Sequence, residues 1–197
     1  MKRFAMEFVG TFFLTVAISL IAHPVAIGLI LMAMIYVGGH VSGAHFNPAV
    51  SFACFIQKRL EVENMAKYVL AQCFGAFVAL MFFTRLTKSS FVLDVVPDTS
   101  CFGPMMIEAL FVLVFAWVYL AMNVSSRYKD TAIPGVVIGL TLLAIAHAGG
   151  LFNPAVAIAS CVMNGTVQQG SFVIYIIGPL LGAVGASFIF DYFKPQI

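Results

Sequence analysis

A chain of 197 residues with 62% hydrophobic and only 9% charged residues cannot cover itself with a water-soluble surface, since soluble domains carry roughly 25% charged residues. The mean hydropathy of +1.04 points instead to a polytopic membrane protein. A net charge of +2 with no basic block or stripe leaves no footprint for nucleic acid.

The N-terminus, "MKRFAMEFVGTFFLTVAIS", opens like a secretory leader, with two basic residues ahead of an apolar run. The run from Phe4 to Ile21 is long enough to span, holds Glu7 and lacks a small-x-small cleavage site, so it reads as a retained first helix. A second apolar segment covers 25–42 and runs into a flexible strip, "GGHVSGAHF" (38–46). Asn47-Pro48 comes next. Asn is a strong helix N-cap, and Pro suits the first helical position because its missing N–H would be unpaired there. The apolar stretch Pro48–Gln57 has ten residues, roughly 15 Å of helix against a hydrocarbon core of roughly 30 Å. It therefore reads as a re-entrant half-helix. The polar link "QKRLEVEN" (57–64) leads to a third span, 65–86.

After the polar connection "RLTKSSFVLDVVPDTS" (85–100) the order starts again. Spans at 104–123 and 132–148 are joined by "NVSSRYKDTA" (123–132) and followed by the strip "AGGLF" (148–152). Asn153-Pro154 opens a second short stretch, Pro154–Met163, and after "MNGTVQQG" (163–170) comes a last span at 170–191. The pentapeptide Phe-Asn-Pro-Ala-Val occurs at 46–50 and again at 152–156. "AMEFVGTFFLTVAIS" (5–19) pairs with "MIEALFVLVFAWVYL" (106–120), which aligns Glu7 with Glu108. Glu7 precedes Asn47 by 40 residues and Glu108 precedes Asn153 by 45. Each half carries three full spans, an odd number, so the second half enters the bilayer from the opposite face. The expected fold is an all-α membrane protein. It has six transmembrane helices and two re-entrant half-helices in one domain, 1–197, with inverted repeats at about 4–86 and 104–191.

Positive charge sets the orientation. With the N-terminus cytoplasmic and six crossings, Lys2, Arg3, Lys58, Arg59, Lys67, Arg127, Lys129 and Lys194 lie inside, and Arg85 and Lys88 lie outside. Both termini then face the cytoplasm, in a cell (inner or plasma) membrane.

Two half-helices entering from opposite faces meet at their N-termini. Each end carries roughly half a positive charge. The two asparagines add amide donors at the centre, and the glycine strips add backbone carbonyls along the approach. Irregular backbone at membrane depth is tolerated where it is buried or lines a water-filled cavity. Such a path suits a file of small neutral hydrogen-bonding molecules and opposes cations and protons. Gly43, Ala44 and His45 before the first Asn, and Gly149 and Leu151 before the second, are the expected pore-lining backbone.

"SGAHFNPAV" (42–50), the second "NPA" (153–155), Glu7, Glu108, "AQCFGA" (71–76) and "IGPLLGA" (177–183) resemble the major intrinsic proteins, the aquaporin and glycerol-facilitator family, from about residue 5 to 190. The resemblance implies the family's six tilted helices and two half-helices, assembled as a homotetramer with one pore per subunit. It implies that Asn47, Pro48, Ala49, Asn153, Pro154 and Ala155 form the paired central motifs, and that Glu7 and Glu108 brace the re-entrant loops. It places the narrow outer filter at Ile27, Thr141, Gly150 and Val156. The family normally has Arg at the last of these, water-selective members usually have His at the position of Thr141, and an aromatic is frequent at that of Ile27. Val for Arg removes a permanent cation and its donors. The expectation is a wide, apolar outer constriction with Thr141 as its hydrogen-bonding side chain. Ala157, where glycerol facilitators usually have Asp, and Tyr175 are aquaporin-like markers. Bacterial members without the filter Arg, some linked to arsenical resistance, share this pattern, and undissociated arsenous acid is small, neutral and hydroxylated.

Cys54, Cys73, Cys101 and Cys161 are scattered and read as small packing residues. His40, His45 and His147 read as loop-bracing or packing side chains ahead of a gating role, and His23 as a loop residue. No metal or other cofactor is called for. The expected activity is passive conduction of water and small uncharged solutes (polyols, urea, metalloid acids). A secondary transporter built on inverted repeats is the alternative. It would want an ionisable group at the midplane, whereas Glu7 and Glu108 fall near the ends of their helices. No Ser-His or Asp-Asp pairing at helical spacing supports an enzyme.

Overall fold

The computed structural model describes residues 1–93, 101–124, 128, 131–165 and 173–193. Arg127, Lys129 and Lys194, and the first residues of the expected last span, lie outside these. Among the described residues all regular structure is helical, in the predicted order. Helix α1 is Lys2–Val16 and continues through a wide π-helical turn, Ala17–Ile21. Then follow α2 (Pro24–Ser42), α3 (Pro48–Ile56) and α4 (Val62–Thr87). The second half contains α5 (Phe102–Val124), α6 (Ile133–Ala146), α7 (Pro154–Asn164), and α8 (Gly178–Phe193) behind a second π-helical turn, Val173–Ile177.

Among the described residues, five segments are long and apolar enough to cross a membrane, and α6 is shorter at 14 residues, about 21 Å. The half-helices α3 and α7 have 9 and 11 residues. The bundle is apolar on its outer surface and holds buried polar groups within its apolar interior. Leu70, Phe74 and Phe188 are 70%, 61% and 72% exposed, while Glu7, Thr11, Gln72 and Glu108 are buried. Water on the outside would invert that distribution, and lipid explains it.

Small residues bring the spans together. A Cβ on Gly75 of α4 would lie 2.4 Å from the Phe8 carbonyl oxygen of α1, and a Cβ on Gly182 of α8 would lie 2.4 Å from the Ala109 carbonyl oxygen of α5. Phe8 follows Glu7 as Ala109 follows Glu108, so the same crossing is built twice. These contacts hold α1 and α5, the carriers of the two carboxylates, against α4 and α8. Gly75→Ala is expected to push α1 and α4 apart at a cost of about 1–3 kcal/mol, read as a lower thermal midpoint in detergent. Gly39→Ala, whose Cβ would meet nothing nearer than Ile35 Cγ2 at 3.9 Å, should leave the midpoint nearly unchanged.

Candidate functional site

The two Asn-Pro pairs meet inside the bundle. The Asn47 side chain accepts from the Ala49 N–H at 2.9 Å, and that of Asn153 accepts from the Ala155 N–H at 3.1 Å. Each therefore caps its own half-helix, with Pro at the first helical position. Asn47 Nδ2 donates to the Phe152 carbonyl oxygen at 2.7 Å, and Asn153 Nδ2 donates to the Phe46 carbonyl oxygen at 2.9 Å. The N-termini of α3 and α7 are thus latched to each other by a reciprocal pair. An amide nitrogen carries two hydrogens. One is committed to the latch, and the second remains for a molecule in the cavity that both asparagines line.

The residue before each Asn takes a left-handed backbone, Phe46 with φ +49° and Phe152 with φ +55°. This costs a non-glycine residue about 1–2 kcal/mol. It carries the two carbonyls that the opposite asparagines use. Packing holds the rings in place. Phe46 sits in the notch above Gly10, where a Cβ would come within 2.1 Å of the ring. Phe152 meets Phe111 edge-on at 5.5 Å and lies over Gly150, where a Cβ would come within 2.3 Å.

The carboxylates tie the loops to the helices. Glu7 accepts from the Ser42 hydroxyl (2.6 Å), the His45 N–H (3.0 Å), the Phe46 N–H (2.7 Å) and Gln72 Nε2 (2.8 Å). Glu108 accepts from the Leu151 N–H (2.6 Å) and the Phe152 N–H (2.8 Å). Counting back from each Asn, the same two loop positions are held in both halves. The first loop has further braces. Tyr68 donates to the Ser42 carbonyl at 2.7 Å, Tyr119 donates to the Gly43 carbonyl at 2.7 Å, and the His45 ring meets Ser51 Oγ at 3.0 Å. In the second half Ala148, Leu151, Ala157 and Pro179 stand where Ser42, His45, Ser51 and Gln72 stand in the first. None of these four offers a side-chain donor, and Glu108 holds the second loop through the Leu151 and Phe152 N–H groups.

A cavity of about 50 Å³ runs past the latch, room for a short file of water at about 10–15 Å³ each. Its polar lining comes from His45, Asn47 and Asn153, with Gly150, Leu151 and Phe152 of the second loop beside them. Its apolar wall comes from Leu14, Ile18, Ile27, Leu31, Phe115 and Leu142.

Of the four expected filter residues, Ile27 and Gly150 line this cavity. Thr141 is not among its lining residues, and its hydroxyl donates to the Val137 carbonyl at 2.8 Å. Val156 is fully buried and packs in a cluster with Ala76 and Leu80 of α4 and with Ala159. Of the expected backbone positions, His45 and Leu151 line the cavity; Gly43 and Ala44 belong to the braced first loop, and Gly149 is exposed at the mouth of the second. His40 and His147 are exposed, the latter with its ring on the Leu143 carbonyl at 2.9 Å.

The braces Ser42, Ser51, Gln72, Tyr68 and Tyr119 are not marked as such by any motif in the sequence. A Gln within the apolar run 65–86 was the available signal. The apolar lining residues carried no signal, because lumen, core and lipid all select the same residue types.

A profile of the major intrinsic protein family matches residues 16–190. The chain is similar to glycerol uptake facilitator protein-like 6 of Lactiplantibacillus plantarum, 33% identical over 95% of this chain and 96% of that one. It is similar to aquaporin NIP1-1 of Zea mays, 31% identical over 83% of this chain and 60% of the relative's length. Among solved structures, the aquaglyceroporin from Plasmodium falciparum matches its fold with a TM-score of 0.80, covering 98% of this chain and 96% of that one at 22% identity.

Proposed function

The chain belongs to the major intrinsic protein family, and from that premise we propose a channel whose second-loop half is neutral and apolar enough to pass small hydroxylated or amide solutes beside water. It is a multi-pass membrane channel for water and small solutes. The observation that carries the finer reading is the cavity lining. Donors and acceptors are concentrated at the asparagine latch, and the wall beyond it offers Ile27, Leu142 and the bare backbone of Gly150, with no Lys, Arg, Asp or Glu among the lining residues. A neutral solute can exchange its water for the spare Asn amide hydrogens and the loop carbonyls. A cation meets two helix N-termini.

We read glycerol, urea and undissociated arsenous acid as fitting this chemistry. The name of the Lactiplantibacillus relative supports the first of these. Conduction is passive and involves no covalent step. A coupled transporter is less well supported, since both buried carboxylates are engaged by loop N–H groups. The repeats 4–86 and 104–191 form one channel domain, the assembly is a homotetramer with one pore per subunit, and both termini face the cytoplasm of the cell membrane. The doubled Glu–loop contacts support the first statement, the family resemblance the second, and the basic residues Lys2, Arg3 and Lys67, which share one surface pocket, the third.

The test is light-scattering swelling of proteoliposomes in water, glycerol, urea and arsenite gradients. Val156→Arg places a guanidinium where a sealed apolar site cannot keep it, so the long side chain must turn into the pore. Wild type is expected to pass solute faster relative to water than Val156→Arg does. Equal ratios in the two proteins would contradict a solute path set by a neutral second-loop half.

A further inference from the structure

The cavity wall holds a residue that motif counting does not reach. Ile18 lies in the π-helical turn that ends α1, one such turn beyond Leu14, and both side chains line the cavity. Wide turns of this kind recur where a helix re-aims a side chain at a functional site. Ile18 packs against both apolar clusters of the molecule. One contains Leu31, Phe46 and Phe152; the other contains Val156, Ala76 and Leu80. Val156 is 0% exposed. Ile18 thus lines the cavity and packs against the cluster that holds Val156, and it presents to a passing solute an apolar surface that position 156 does not.

We propose that Ile18 is a size- and polarity-determining residue of the pore, sharing its wall with Ile27 and Gly150 where Val156 does not reach it. The inference rests on the reading that neutral solutes share the pore with water. Its chemical content is a rigid apolar wall. Isoleucine is branched at Cβ and stiff at χ1, so it sets a fixed width and offers no hydrogen bond. Solutes that present a carbon skeleton on one side and hydroxyls or amides on the other fit between Ile18 and the loop carbonyls. Solutes polar all round lose hydration against it without repayment.

The experiment compares water, glycerol and urea permeabilities of wild type, Ile18→Ala, Ile18→Phe and Val156→Ala in proteoliposomes. Ile18→Ala is expected to raise glycerol permeability relative to water at least about ten-fold, the lower end of what one methylene is worth in an apolar site. Ile18→Phe is expected to lower it by a similar factor while water still passes. Val156→Ala should leave the ratio near that of wild type. The proposal is overturned if both Ile18 variants keep the wild-type ratio, or if Val156→Ala shifts it more than Ile18→Ala does. Should Ile18→Ala lose water flux as well, Ile18→Phe decides alone, since its expected change has the opposite sign. A wild type that passes water and excludes every solute would instead refute the solute reading.

Discussion

Glu7→Ala is expected to abolish both water flux and the stable fold in detergent. The substitution strands the Ser42 hydroxyl, the His45 and Phe46 N–H groups and the Gln72 amide, all of which donate to that carboxylate. Each buried donor left unpaired costs about 1–3 kcal/mol, so the loss is at least about 4 kcal/mol, a large share of a typical stability of about 5–15 kcal/mol. Glu7→Gln keeps one acceptor oxygen but turns an NH2 group toward donors, and should recover part of the loss. Glu108→Ala strands two N–H groups. By the same count this costs about 2–6 kcal/mol, and it should leave a folded protein with a misplaced second loop, visible as reduced flux with a smaller fall in the thermal midpoint than Glu7→Ala gives. The readouts are the thermal midpoint in detergent and the swelling rate. Equal damage from Glu7→Ala and Glu108→Ala would contradict the unequal bracing of the two loops.

The second large effect is expected at the latch. Asn153→Asp can still cap Ala155 through one oxygen. It loses the donor to the Phe46 carbonyl, which it would face as a second acceptor across a contact that is 2.9 Å in the native protein. The latch should loosen and water flux should fall. The larger consequence is electrostatic. A full negative charge about 4 Å from a passing cation is worth about 4 kcal/mol at an effective dielectric of about 20, on the order of a thousand-fold in occupancy before desolvation is subtracted. Asn153→Asp should therefore admit a cation current that wild type excludes, measured in planar bilayers. Asn153→Ala, which also breaks the latch but adds no charge, should lower water flux without that current. Equal currents in the two variants would assign the leak to loosening and remove the electrostatic argument.

The parts of this molecule that were legible in the sequence are those where one residue type has few uses in a membrane. Asn-Pro at the head of a ten-residue apolar stretch announced a half-helix, because a cap and a ring without N–H have little other reason to sit there. Glu7 and Glu108, equally placed before the two motifs, announced paired braces, because a lone carboxylate in lipid is costly. The asymmetry between the loops was harder to read. Ser42, Gln72 and Ser51 are ordinary in isolation, and they matter because α1 and α4 cross at Gly75. How the side chain at position 156 faces is not readable by counting from a motif. Which way a first-turn side chain faces depends on helix rotation against α4, and Val is at home in either place. The lining residues Leu14, Leu31 and Phe115 were silent for the same reason.

The account stands on two helix N-termini meeting at the middle of a conduction path. Its most direct measurement takes osmotic water permeability and ionic current from the same wild-type proteoliposome preparation. The account predicts swelling far faster than protein-free vesicles, with a weak temperature dependence and no proton or cation current above the lipid background. Swelling no faster than bare lipid, or a current that grows with the amount of protein, would contradict it.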